Sequence, residues 1–209
     1  MTADKLVVAT RNRGKLAEIA AILDMEGLRL LSLADWPGAP DTEESGATFR
    51  ENAVLKAVNA ARFTGLPALA DDSGLCVDAL GGAPGVMSAR YGGPDLDDEG
   101  RYRLLLEAMR NVPDSQRSAK FVCVAALAMP SGEMRTALGE LHGMIAREPM
   151  GDGGFGYDPV FFLPHRGCTL AQLPAEEKNV LSHRAIAVRA IVPHVRELLG
   201  GACSKACPR

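Results

Sequence analysis

Leu66-Pro67-Ala68-Leu69-Ala70-Asp71-Asp72-Ser73-Gly74 is a short apolar run closed by two adjacent acids, a hydroxyl and a glycine. Such a run has the length and composition of a strand, and its ending suggests acids delivered to the edge of a sheet. On its own the pair also fits a solvated turn with Asp as a cap. Upstream, Lys5 to Ala9 predicts a first strand, followed by a polar turn and a helix with Leu16, Ile19, Ala20 and Leu23 on one face. Gly27 ends that helix, and Leu28 to Leu33 suggests a second strand. Trp36-Pro37-Gly38, Pro40 and the acidic Asp41 to Glu44 mark a loop over 34–47, and Thr48-Phe49-Arg50-Glu51 is a capping box opening a helix to about Phe63.

Downstream, Leu75 to Leu80 predicts a separate short strand broken by Gly81-Gly82-Ala83-Pro84-Gly85. Asp95, Asp97, Asp98 and Glu99 suit the start of a helix whose inner face carries Tyr102, Leu105, Leu106 and Met109. Lys120 to Met129 is a long apolar strand, Pro130 to Glu133 a turn, and Met134 to Ile145 its hairpin partner. A glycine-rich loop over 151–159, a short strand from Val160 to Leu163 and a last helix from Ser182 to Leu199 complete the chain. Strands alternate with helices early and a hairpin comes late, so the expected class is α/β with a long mixed sheet flanked by helices.

A chain of 209 residues can bury a substantial core, as one domain or two closely packed lobes. The net charge of −3 argues against a general nucleic-acid or membrane surface, so any phosphate site must be a local basic pocket. Cys76, Cys123, Cys168, Cys203 and Cys207 show no Cys-x-x-Cys spacing, which indicates neither a zinc site nor a disulfide framework. Cys76 and Cys123 are expected in the core. No run approaches the ~18 apolar residues of a membrane span, and no signal-peptide pattern opens the chain, so a cytoplasmic location is the expectation.

The paired acids suit a hard cation. Mg²⁺ usually takes one or two carboxylates and keeps substrate phosphates as further ligands. Glu43 or Glu44, in the preceding loop, is a candidate second carboxylate. The turn Thr10-Arg11-Asn12-Arg13-Gly14-Lys15 leads into a helix N-terminus, where free N–H groups and the dipole favour phosphate. It is not a Walker A loop, because Ala9 and Leu16 stand where that motif needs glycine and Ser or Thr. Lys56, on the capped helix, reads by itself as an exposed lysine. Gly151-Asp152-Gly153-Gly154-Phe155-Gly156 has dinucleotide-loop spacing but precedes no helix, which leaves a loop presenting Phe155, Tyr157 and Asp158. Phe155 either stacks on a base or packs into the core. Glu176 to Arg184 is densely polar; Ser182 reads as an N-cap, and His183 and Arg184 would then sit in a first helical turn that disfavours cations.

Together, Thr10-x-Asn12-x-x-Lys15, Glu51-Asn52-Ala53-x-x-Lys56-Ala57, Ala70-Asp71-Asp72-Ser73-Gly74, Gly153-Gly154-Phe155-Gly156-Tyr157-Asp158-Pro159 and Glu176-Glu177-Lys178-Asn179 with Ser182-His183-Arg184 closely resemble the RdgB/inosine triphosphatase family. The resemblance covers about residues 5 to 200. It implies one domain over 1–200 with two lobes around a central cleft, a short tail over 201–209 and a homodimer. It also implies Mg²⁺-dependent hydrolysis of dITP, ITP or XTP to the monophosphate and pyrophosphate, which would cleanse the nucleotide pool of deaminated purines. Asp72 would be catalytic carboxylate and metal ligand, with Glu43 preferred as the second ligand. Thr10, Asn12, Lys15 and Lys56 would grip the triphosphate, with Arg11, Arg13 and Gly14 in the same turn, and Ser73 would touch substrate. Phe155, Gly156, Tyr157, Asp158, Lys178, His183 and Arg184 would form the base site. The alternatives are a Maf-like pyrophosphatase and a non-catalytic nucleotide sensor. The 155–158 loop with Ser182 to Arg184 argues against the first, and the presence of Asp71 and Asp72 against the second.

Overall fold

Alternation of side chains along the central strands builds two apolar layers, one on each face of the sheet. The computed structural model describes residues 4–200; Cys203, Cys207 and the tail lie outside the described residues. Strand β1 (Asp4–Val8) pairs in parallel with β2 (Leu28–Ser32) and with β3 (Ala68–Val77). Leu6 and Val8 of β1 join Leu69 in one core cluster, whereas Val7 joins Ala68 and Ala70 in another. The first cluster is completed by Ile19 and Leu23, from and just after helix α1 (Arg13–Ile22), and by Val188, Ile191 and Val195 of α5 (His183–Gly200). The second receives Ala53, Ala57, Ala60 and Ala61 of α2 (Phe49–Thr64), a small-residue face that lets the helix approach the strands closely. Each fully buried Val or Leu contributes roughly 1.5–3 kcal/mol.

The remaining elements are α3 (Asp98–Ala108), β4 (Ser118–Ala128), β5 (Met134–Ile145), β6 (Phe161–Leu163), β7 (Cys168–Thr169) and α4 (Ala175–Leu181). The sheet runs β2-β1-β3-β4-β5-β6-β7 and is mixed, since β6 is antiparallel to both β5 and β7. The expected α/β class with a mixed sheet therefore holds. The predicted caps hold as well. Asn12 Oδ1 accepts from the Lys15 amide at 3.0 Å, and Thr48 and Glu51 form the reciprocal capping box of α2. Gly65 closes α2 in the left-handed region with φ 67°.

Three expectations change. The acids do not end a strand: β3 continues through Asp71, Asp72 and Ser73 to Val77, so no separate strand over Leu75 to Leu80 exists. The acids therefore lie inside the sheet, in a strand flanked by β1 and β4. The polar stretch before the last helix is itself helical, as α4, and Ser182 is the extended residue between α4 and α5.

By contacts the described chain divides into two compact units, residues 4–72, 123–139 and 184–200 in the first and 73–122 and 140–183 in the second. The first holds the two clusters above. The second has its own core, in which Leu75, Leu105, Met109, Phe121, Ile145, Tyr157, Phe161 and Leu170 pack together. Among the described residues, no helix is long and apolar enough to cross a membrane.

Candidate active site

Because side chains alternate along a strand, adjacent Asp71 and Asp72 project to opposite faces of β3. Both are buried, at 2% and 6% exposure. The chain thus carries two carboxylates in neighbouring positions without packing them against each other, and each makes direct contacts with different cations.

On the face shared with α1 and α5, Asp71 Oδ2 accepts from Arg184 Nε at 3.2 Å and Cys123 Sγ at 3.8 Å, and pairs with Lys15 Nζ at 3.1 Å. Arg184, only 2% exposed, also pairs through Nη1 with Glu18. Burial alone would raise the Asp71 carboxyl, but the charges of Lys15, Arg184 and Lys56 and the Lys15 hydrogen bond hold it well below the usual carboxylate range. Asp71 is therefore a fixed anion. Burial pushes the Cys123 thiol up, helped by the Asp71 charge, so it stays a neutral donor.

On the α2 face, Asp72 Oδ1 accepts from Lys56 Nζ at 2.9 Å and Asp72 Oδ2 from Asn52 Nδ2 at 3.3 Å. Asn52 and Lys56 lie one helical turn apart, so α2 offers both from one stripe. Asn52 is oriented by the Gly46 amide, which donates to its Oδ1 at 2.8 Å. The same Lys56 ammonium reaches Glu44 Oε1 at 2.9 Å. Burial raises the Asp72 carboxyl against the pull of Lys56 and Lys15, and the Glu44 charge adds to the rise. Lys56, desolvated but facing Asp72 and Asp71, is held protonated above its usual range. One cation between two acids leaves Asp72 the less compensated of the adjacent pair.

Of the two candidates for the second acid, Glu44 joins the Lys56–Asp72 cluster, whereas Glu43, the one preferred from the resemblance, is exposed. Consecutive residues of an extended loop point opposite ways, which the sequence could not resolve. Among the described residues no group of three or more His, Cys, Asp or Glu is placed to hold a metal ion. The donor set is instead two carboxylates around one ammonium. That fits Mg²⁺ bound by one or two carboxylates with substrate oxygens completing the shell, and not a closed protein cage.

In the turn before α1, Thr10 Oγ1 accepts from the Asn12 amide at 3.2 Å. Arg11 is tied away to the loop before α2, with Nη1 2.7 Å from Asp41 and Nη2 2.8 Å from the Ala39 carbonyl. Arg13 is exposed, and Gly14 and Ser73 are half-buried.

A second constellation lies wholly within the second unit. Lys178 Nζ, on α4, sits 2.5 Å from Asp158 Oδ2 and 4.6 Å from the centroid of the Phe155 ring. The same carboxylate oxygen accepts from the Phe155 amide at 2.9 Å, and Gly156 N donates to Asp98 Oδ2 at 2.8 Å. Gly154, with φ 73°, makes the turn that lets Asp158 fold back; a Cβ there would run into the Asp158 carboxylate. Phe155 is half-buried beneath the ammonium, between its two expected fates. Tyr157 is buried in the core, its hydroxyl donating to the Ser88 carbonyl at 2.9 Å. His183 is buried and stacks on Phe121 with centroids 4.6 Å apart. Arg184, expected beside these residues, instead joins the acids of the first unit; Asp71 and Glu18 supply the anions that make its place in a helical first turn tolerable.

Sequence reasoning missed Asn52 and Glu18. Each had a weak signal in helical spacing, Asn52 four residues before Lys56 and Glu18 three after Lys15.

The fold and these contacts define a class: mixed-sheet α/β proteins whose central strand carries two carboxylates on opposite faces, each held by lysine from a different helix. Within that class the match is specific. The Ham1 family model matches residues 6–194, and the chain belongs to that family. It is 56% identical over 191 residues to a protein of Geobacter sulfurreducens named dITP/XTP pyrophosphatase, covering 91% of this chain and 96% of that one. A protein of the same name from Streptomyces avermitilis is 52% identical over 94% of this chain and 99% of its own length. Among solved structures, a HAM1 protein from Coxiella burnetii superposes with a TM-score of 0.84 at 45% identity, covering 93% of this chain and 99% of that one. The Staphylococcus aureus Ham1 protein gives 0.83 at 37% identity, covering 93% and 100%.

Proposed function

We propose that this protein is a nucleoside triphosphate pyrophosphatase that hydrolyses dITP, ITP and XTP to the nucleoside monophosphate and pyrophosphate. The observation that carries the reading is the Asp72 carboxylate, buried, 2.9 Å from Lys56, with Glu44 on the same ammonium. This places two hard oxygen donors and a cation on one spot, the elements that phosphoryl chemistry needs. The names of the relatives at 56% and 52% identity support the substrate class.

In this proposal Asp72 and Glu44 would hold Mg²⁺, which when bound neutralises phosphate charge and makes a water easier to deprotonate. Asp72, its pKa raised by burial, accepts the proton of the water that attacks the α-phosphorus. Lys15 and Lys56 offset the charge gathering on the departing pyrophosphate, and Thr10 and Asn12 present the turn into α1 to the phosphates. Lys178 donates to O6 of hypoxanthine or xanthine and would lose that partner against the amino group of adenine. Phe155 supplies the stacking surface. The proposal extends to a homodimer, a cytoplasmic location and removal of deaminated purine nucleotides from the pool.

The test is pyrophosphate release from a panel of dITP, XTP, GTP and ATP with Mg²⁺ and with EDTA. Release from dITP and XTP far above GTP and ATP, abolished by EDTA, is expected. Equal kcat/KM for all four would remove the base-reading role, and no release from any would remove the enzymatic one.

A further inference from the structure

Arg117 is a buried cation held by backbone carbonyls. It is 2% exposed, and its hydrogen bonds all go to backbone carbonyls: Nε to Ile145 at 2.7 Å, Nη1 to Met109 at 2.6 Å and Val112 at 3.3 Å, and Nη2 to Ala146 at 2.9 Å. These occupy four of the five guanidinium N–H donors. Among the described residues no Asp or Glu forms an ion pair with it. A buried charge without a counter-ion is costly, even where carbonyl dipoles ease it. Burial and the nearby Arg147 charge pull the Arg117 pKa down, against a smaller opposing pull from Asp114.

Arg117 also lines a depression of about 300 Å³ together with Arg103, Leu106, Glu107, Arg110 and Arg147. Four arginines and one glutamate converge here in a protein whose net charge is −3. The three outer arginines are paired with Glu99, Glu107 and Asp114 in largely exposed contacts. Exposed pairs of this kind are worth about 0–1 kcal/mol, so each fork can turn to a ligand at little cost. Planar arginine forks match phosphate oxygens two at a time. Glu107 pairs with Arg110, so an anion must replace it on that fork, which favours one carrying more than a single charge.

We propose that this arginine-lined depression at the C-terminal end of α3 binds a compact phosphate-type oxyanion carrying two or more negative charges. It shares no residue with the candidate active site, and the proposal stands whether or not the chain hydrolyses nucleotides. The source is either a free inorganic anion or the phosphate end of a nucleotide. The experiment titrates inorganic phosphate, pyrophosphate and IMP, separately and in EDTA, into protein labelled with 15N-arginine while following the Arg117 Nε–H resonance. A saturable shift with pyrophosphate is expected. The double variant Arg110→Gln/Arg147→Gln, altered only at exposed side chains, should weaken it by about tenfold or more. A shift with phosphate as well assigns the site to free anions, and a tighter response to IMP assigns it to nucleotides. An Arg117 resonance unmoved by all three anions, or equal affinity in the double variant, overturns the proposal.

Discussion

A single position separates Asp71 from Asp72, yet their environments push the two carboxyls in opposite directions. Asp71 receives three donors on one oxygen and is locked as an anion, whereas Asp72 shares one ammonium with Glu44 and keeps a raised pKa. Adjacent acids tuned apart in this way divide the work, with one building the scaffold and the other positioned for chemistry. Asp72→Asn keeps the shape and the Asn52 and Lys56 contacts within reach but removes the proton acceptor and the charge. The expected result is a drop in kcat of at least about 10²-fold with an unchanged far-UV spectrum. Turnover near wild type in the purified variant would remove Asp72 from the catalytic role.

Elements were legible in the sequence wherever a local rule settled them. The capping box at Thr48 and Glu51, the Asn12 cap and the hairpin turn after Met129 each depend on residues within a few positions, and each was found. The strand into Asp71 was found, but not its continuation to Val77, because Asp71-Asp72-Ser73-Gly74 resembles a strand ending; only the cations of α1, α2 and α5, distant in sequence, make a central strand through two acids affordable. For the same reason the choice between Glu43 and Glu44, and the place of Arg184, depended on tertiary partners. The 151–158 loop shows the converse. Its glycines were visible, but not their purpose, which at Gly154 is to let Asp158 reach the Phe155 amide and Lys178. Gly154→Ala would force a side chain into φ 73° and against that carboxylate. The expected outcome is loss of the Asp158–Lys178 arrangement, read as KM for dITP rising by about tenfold or more while the protein remains folded. An unchanged KM would show that this turn does not shape the substrate site.

Across the molecule, each unit buries its own charged constellation inside its own apolar core, so stability and the candidate chemistry rest on the same ion pairs. The Glu18–Arg184–Asp71–Lys15 chain spans α1, β3 and α5 and makes the first unit's acid response predictable. The Asp71 carboxyl is held below its ordinary value of 3.8, so the folded protein gives up that proton at lower pH than the unfolded chain does. Its contribution to stability is therefore complete above that ordinary value and is lost as pH falls toward the depressed one. Asp71→Asn removes the anion but leaves Lys15 and Arg184 buried, and breaking such a pair costs on the order of 3 kcal/mol. Urea unfolding at pH 7 should show the variant less stable by that order. As the pH is lowered toward 3 the gap should narrow, because the wild type loses what the variant never had. Glu140, also lowered through its hydrogen bond to Lys120, titrates in both proteins and cancels in the comparison. A gap that stays constant from pH 7 to pH 3 would mean that the Asp71 charge does not support the fold, and that β3 tolerates its acids for another reason.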